Sequence, residues 1–368
     1  MATRVHARTL TGFVAVATTM TLAACGGAAS GSGSGGTTGA AASAGAGGAS
    51  AAPVTVTMMV GGIDKQIYLP YQLAEGLGYY KKYGIDMKLS TEVSGGVGAE
   101  DAVASGQVNM AGAWYVHTID FQQKGKDVIS VAQLSGAPGE REMCATGSNI
   151  SSPADWSGKT VGVTDLGSGT DDLTLYLAAK SSLTQAQFHR QGVGAGSTLV
   201  AALQHGSVVC GMTTQPTVSA LETQKIAYSA IDLATTDGAD KWLGGAFPSA
   251  AVLAKADWVA ANKDTVQKVV DALVATMHYI ATHSAADIAD HLPPNFVSNG
   301  LVTKDLYVKA LDQDKGQFLP DGMMPANGPE TVLAVEKLAG KVTAPVDLTK
   351  TYTNDFVVAA NKLEGFAQ

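Results

Sequence analysis

The stretch that most constrains this chain runs from Gly158 to Asp172: Gly-Lys-Thr-Val-Gly-Val-Thr-Asp-Leu-Gly-Ser-Gly-Thr-Asp-Asp. Val161 to Val163 carry no charge and are β-branched or glycine, which predicts a short buried strand. Gly167, Ser168, Gly169 and Thr170 form a turn rich in backbone donors. Asp171 to Lys180 follows as a helix, with Leu173 and Leu177 on one face. A strand, a glycine loop and a helix aim free N–H groups and the positive end of a helix dipole at one point, where an anion is held. The plainer alternative is that Ser168 or Thr170 only caps the helix. A similar unit occurs earlier: a strand over 85–89, the loop Gly95-Gly96-Val97-Gly98, and a short helix from Ala99 to Ser105.

Strands alternate with helices along most of the chain. Strands are expected at 54–60, 85–89, 108–113 and 128–134, with a helix from Pro70 that Gly84 closes. After Pro138 the cycle restarts: 142–145, 161–164, 189–193 and 208–213 read as strands, with helices at 171–180 and 197–205. A return strand is expected at 249–254. Residues 257–283 are helical, with Val266, Val269, Val270, Leu273, Val274, Met277 and Ile280 at three- and four-residue steps. The remainder is expected to pack outside the first lobe. This order predicts parallel α/β packing, with the ligand region beyond the carboxyl ends of the strands. Two passages between lobes make a hinge, and facing glycine loops make a cleft suited to closure on a small ligand.

The ends of the sequence concern location. Arg4 and Arg8, an apolar run from Leu10 to Leu22, and then Leu22-Ala23-Ala24-Cys25 match a bacterial lipoprotein signal (1–24), cleaved before a lipid-bearing Cys25. The alternative is a plain secretory signal with an incidental cysteine. Gly26 to Ala52 contains only Gly, Ala, Ser and Thr. It cannot bury a core, so 25–52 reads as a tether that lets the folded part stand off the membrane. The formal charge is −8, and losing the two signal arginines makes it more negative, which argues against a nucleic-acid partner. Without Cys25, two cysteines remain, Cys144 and Cys210, and an exported compartment permits their pairing. No metal-ligand spacing is present and no cofactor is implied.

Four motifs then carry a family resemblance. Tyr68-Leu-Pro-Tyr-Gln-Leu-Ala-Glu-Gly-Leu-Gly-Tyr-Tyr-Lys-Lys-Tyr-Gly-Ile-Asp-Met resembles the opening of the substrate-binding proteins of nitrate, sulfonate, taurine and thiamine-precursor ABC importers. Ala102-Val-Ala-Ser-Gly-Gln-Val-Asn-Met-Ala, Asp155-Trp-Ser-Gly-Lys-Thr-Val-Gly-Val and Ala201-Ala-Leu-Gln-His-Gly-Ser-Val follow in the family's order, with Asn109 where an Asp is common. The similarity runs from about Val54 to Ser284. It implies a type II periplasmic-binding-protein fold, with two Rossmann-like lobes joined by a two-strand hinge. Lobe I would comprise 53–140 and 247–368, and lobe II 141–246. It also implies a monomeric, lipid-anchored extracytoplasmic receptor, not an enzyme, that hands its ligand to an ABC permease and its ATPase. In this fold the strand of Cys144 lies beside that of Cys210, so a disulfide is implied, with two buried thiols as the alternative.

Carried onto this sequence, the family's ligand loops fall on Gly62, Tyr68, Gly95, Gly96, Trp114, Tyr115, Ser135, Arg141, Gly167, Ser168, Thr170, Thr214 and Gln215. Trp114 and Tyr115, at a strand end, favour a flat apolar ligand body over a core role. Arg141 suits a carboxylate or sulfonate, with its neighbour Glu140 or a surface ion pair as the alternative. The expected ligand is an aromatic carboxylate first and a sulfonate second. A pyrimidine-synthase-like enzyme of the same fold would need clustered cysteines and a cofactor lysine, and these cysteines are scattered. No nucleophile elbow appears, since Leu166 and Thr170 flank Gly167-Ser168-Gly169. A receptor that senses its ligand instead of importing it has the same sequence features.

Overall fold

The computed structural model describes residues 52–92 and 97–366. Two five-stranded sheets form the frame. The first takes β1 (Val54–Val60), β2 (Ile85–Thr91), β3 (Met110–Trp114) and β4 (Val128–Gln133). The second takes β5 (Glu140–Ala145), β6 (Thr160–Val163), β7 (His189–Gly192), β8 (Cys210–Thr214) and β9 (Ala227–Asp232), after which β10 (Ala250–Lys255) returns to the first. The strand orders are β2-β1-β3-β10-β4 and β7-β6-β8-β5-β9.

The two orders follow one plan. Each sheet has a parallel trio joined through helices, which need crossover connections, and each admits one antiparallel strand beside it. In each case that antiparallel strand is the first one after the chain changes sheets: β5 on the way out and β10 on the way back. The fold is thus the two-lobed type II arrangement, with the hinge at the two passages. At the first passage Gly139 has φ +72°, and a side chain there would lie 2.2 Å from Gln317 Oε1 and 2.5 Å from Ile67. Only glycine fits that turn.

Burial follows the sequence pattern. All seven apolar residues expected on one face of the 257–283 region are buried. The helix itself is two pieces, Ala256–Ala261 and Lys263–Thr282, divided at Asn262. The expected first helix is likewise divided, into Leu69–Gly76 and Tyr79–Lys82, because Gly78 turns with φ +71°. The strand β9 had no counterpart in the sequence reading. It is an edge strand, with only Ala227 and Ile231 buried, so its alternation is weak. Cys144 and Cys210 stand opposite each other in the β5–β8 register, and their sulfurs are bonded.

One expectation is corrected. The C-terminal region does not pack on the first lobe alone. The helix Lys304–Asp314 ends in Asp314, which binds Arg141 on β5 of the second sheet. The helix Gly328–Leu338 lies against the second-lobe helix Gly169–Lys180, and Lys341 beyond it reaches Asp172 at 2.8 Å. Periodicity shows which face of a helix is buried, but not against which lobe.

Candidate ligand-binding site

The carboxyl ends of β1, β3 and β6 converge on an enclosed chamber between the lobes. It is lined by Lys65, Tyr68, Glu100, Trp114, His117, Glu140 and the segment 164–170. Its cavity volume is about 20 Å³. That is room for about one or two waters. Lys65 also borders a larger open groove of about 730 Å³ that includes Gly62, Thr91, Ser197, Thr217 and Phe296.

Trp114 ends β3 and seals one side of the chamber. Its ring packs edge-on to Phe247 at 6.3 Å between centroids. Across the cleft it meets Gly169, the first residue of the Gly169–Lys180 helix. A β-carbon at Gly169 would lie 2.2 Å from the indole. Glycine is therefore required for Trp114 of one lobe to reach the backbone of the other.

The facing wall is a set of hydroxyls. Thr164 Oγ1, Ser168 Oγ and Thr170 Oγ1 lie 2.9 Å from one another. Thr164 N donates to Thr170 Oγ1 at 3.0 Å, and Ser168 Oγ accepts from Asp171 N as the helix cap. Gly167 N donates to Asp171 Oδ2 at 2.8 Å, and Asp171 also pairs with Arg190. This helix N-terminus is thus capped largely by its own chain, which is the plainer of the two sequence readings.

The acids of the chamber are its main electrostatic feature. Glu100 and Glu140 are both nearly fully buried. Glu100 Oε1 lies 3.1 Å from His117 Nε2, and His117 Nδ1 lies 3.2 Å from Asp120 Oδ2. Glu100 Oε2 and Glu140 Oε2 have no hydrogen-bond partner among the described residues. Burial raises the Glu140 carboxyl to about 7 against the opposing pull of Lys65 and Arg141. Burial also raises Glu100, with His117 opposing. Burial alone would lower His117, but Glu100 and Asp120 outweigh it and hold the imidazole up to about 9. Burial lowers Lys65, opposed first by Glu140. The chamber therefore carries two basic and two acidic groups, with two carboxylate oxygens short of donors.

The residues singled out from the sequence divide. Tyr68, Trp114, Ser168 and Thr170 line the chamber, Gly62 lines the outer groove, and Gly167 lines a separate pocket of about 320 Å³ beside His117 and Lys341. Gly95, Gly96 and the lipidation site Cys25 lie outside the described residues. Thr214 pairs with Glu140 across β8 and β5, and Gln215 accepts from Gln66 N at 2.9 Å, tying the lobes together beside the chamber. Three residues face elsewhere. Tyr115 turns into the first lobe and bonds Thr351 Oγ1 at 2.6 Å. Ser135 is bonded to Ser249 Oγ at 2.8 Å behind the hinge. Arg141 is held by Asp314 at 2.6 and 2.8 Å and by Asp232 at 3.1 Å, a largely buried pairing and not one with its neighbour Glu140 or at the surface.

The sequence reading missed Glu140 and Glu100 as chamber residues. Alternation along a strand places Glu140 and Arg141 on opposite faces, so the two were never both available to one site. The choice fell on the arginine because it suited an anion.

The family described as NMT1/THI5 like matches residues 67–286, more than half of the chain. No curated protein matches the sequence. Among solved structures, a protein of Bordetella bronchiseptica RB50 is similar at a TM-score of 0.78 and 29% identity, over 85% of this chain and 98% of that one. The periplasmic nitrate-binding protein NrtA of Synechocystis PCC 6803 is similar at 0.68 and 15% identity, over 84% of this chain and 89% of that one. The desulfurization enzyme DSZB shares the fold at 0.58 and 14% identity, over 84% and 99%, so fold alone does not separate binding from catalysis. On its family match and its two hinged sheets, this chain belongs to the NMT1/THI5-like family and has the periplasmic-binding-protein fold.

Proposed function

We propose that this protein is an extracytoplasmic solute-binding protein, held to the membrane by lipid on Cys25 and delivering its ligand to an ABC permease. The observation that carries the reading is the enclosed chamber between two hinged lobes, walled by Trp114 and by the first turn of the Gly169 helix. A site enclosed in this way binds by closure and releases by opening.

The chamber chemistry revises the expected ligand. A simple aromatic carboxylate or sulfonate could meet Lys65 or His117, but it brings acceptors only and leaves the open oxygens of Glu100 and Glu140 without donors. Their open lone pairs call for donors. The ligand that suits this lining is compact, neutral or zwitterionic, with at least two N–H or O–H donors and one flat face for Trp114, and the lobes stand further apart around it than they do here, where the space holds only one or two waters. In the chamber His117 is engaged by Glu100 and Asp120 and not by a hydroxyl, so its lining pairs no nucleophile with a base and capture without conversion is favoured over catalysis.

Thermal-shift titration tests this with a panel of amino-substituted heteroaromatics, zwitterions, aromatic carboxylates, sulfonates and nitrate. A saturable rise with a donor-bearing compound, recovered unaltered, supports the reading. A rise only with the anions restores the sequence expectation for the ligand. Conversion of any compound overturns the binding-protein reading.

A further inference from the structure

We infer that closing the cleft takes up protons: Asp172 of one lobe, Asp120 of the other and the buried Glu336 of the C-terminal segment are brought together beside Lys341, so acidification favours the closed form. This goes beyond the ligand reading and does not depend on what the chamber holds.

The cluster has three sources. The helix Val116–Gln123, which follows β3, supplies Asp120 and His117. The helix Gly169–Lys180, which follows β6 in the other lobe, supplies Asp172. The C-terminal segment supplies Glu336 and Lys341. Lys341 Nζ lies 2.8 Å from Asp172 Oδ1. Glu336 is fully buried, and neither of its oxygens has a hydrogen-bond partner among the described residues. His117 joins this cluster to the chamber, since it pairs with both Asp120 and Glu100.

The other charges near the Gly169 helix are accounted for. Its own Asp171 is paired with Arg190 of β7. Asp155, on the turn packed against it, is bonded to Ser151 and Ser152. Glu330 and Lys337 of the Gly328 helix are exposed. Lys341 thus pairs with Asp172 and His117 with Asp120 and Glu100, Lys124 of the same pocket lies over the Phe121 ring, and Glu336 has no hydrogen-bond partner among the described residues.

Burial raises Asp172 to about 7, with Asp120 adding to the rise and Lys341 opposing it. Burial, then Asp172 and Asp120, raise Glu336 well above the usual range. Opening separates Asp120 from Asp172 and lets water in, which returns such carboxyls toward about 4. Between these values the closed form holds protons that the open form has lost. The closed form is therefore favoured below the open value, and that advantage is lost as pH rises through the closed value. For each group the closed-to-open ratio changes by up to about tenfold per pH unit in this window.

The test is ¹⁹F NMR of the full chain carrying 5-fluorotryptophan, titrated from pH 5 to pH 9 without added solute. Trp114, at the contact between lobes, reports closure, and Trp156, buried within the second lobe, reports the fold. The expected result is a shift of Trp114 from its closed to its open position as pH rises, with Trp156 unmoved. In Asp172→Asn the shift is smaller and the closed position persists to higher pH. Glu140 titrates beside Trp114 in the same range, so a response that survives unchanged in Asp172→Asn overturns the inference. If Trp156 shows that this variant misfolds, Asp120→Asn and Glu336→Gln decide in the same way. A pH-independent Trp114 signal in the wild type, or closure on alkalinisation, also overturns it.

Discussion

Two buried ion clusters link the lobes, and they are built differently. Beside the hinge, Arg141 of β5 meets Asp314 through two bonds of 2.6 and 2.8 Å and Asp232 through a third contact of 3.1 Å. A guanidinium stays charged at any working pH and fits a carboxylate fork. Between the facing helices, Lys341 meets Asp172 while Glu336 and Asp120 lie nearby. In the first cluster the one buried acid, Asp314, is forked by the guanidinium, and the second acid, Asp232, is half exposed to water. In the second, Asp172 and Glu336 are both buried, and Glu336 has no hydrogen-bond partner among the described residues. The difference lies in whether each buried acid has its own partner: one that does keeps its charge, and one that does not must titrate when it is buried.

The largest effect is expected at the hinge. Arg141→Met leaves Asp314 buried without its partner and costs about 3–5 kcal/mol in urea unfolding. Arg141→Lys restores less than the full loss, because an ammonium cannot make the fork. A loss under 1 kcal/mol would break the comparison by making the hinge cluster dispensable.

Next is the covalent staple on the same side. Replacing Cys144 and Cys210 by alanine costs about 4 kcal/mol in the chain-entropy account, for a separation of 66 residues. Mass spectrometry with and without reduction checks the bond itself.

The moving side responds less in unfolding and more in closure. Gly169→Ala pushes the new methyl into Trp114 and costs the closed form about 1–3 kcal/mol, with unfolding little changed. Solute affinity by calorimetry should fall about tenfold or more, and an unaltered affinity would remove Trp114 and Gly169 from the closure contact. The smallest effect is at Glu336. Its carboxyl is raised by burial and by Asp172, so it lowers stability once ionised. Glu336→Gln should gain about 1 kcal/mol at pH 8 and nothing at pH 5. Equal gains at both values would mean that the acid does not titrate there.

Much of the frame was legible in the sequence because it rests on local signals. Glycine loops after β-branched runs located the strand–turn–helix units. The three- and four-residue steps from Val266 to Ile280 located the central buried helix. Of the residues the sequence singles out, those that line the chamber sit at a strand end, as Trp114 does, or at a helix start, as Tyr68, Ser168 and Thr170 do, whereas Tyr115, one residue beyond Trp114, turns into its own lobe. The charge of Arg141 points to an anion, but not to which side of the strand it faces. Its true partner, Asp314, lies 173 residues away. Glu336 and Lys341 could not be read at all, since nothing local says that the Gly328 helix leans on the other lobe.

The central claim is that solute is held between Trp114, Glu100, Glu140 and the first turn of the Gly169 helix. The most direct test is a crystal structure of the protein with the compound that thermal titration selects. The account predicts that compound inside the chamber, donating to Glu100 and Glu140, with the lobes closed over it. The same compound found only in the outer groove, or bound with the carboxylates untouched, would contradict it.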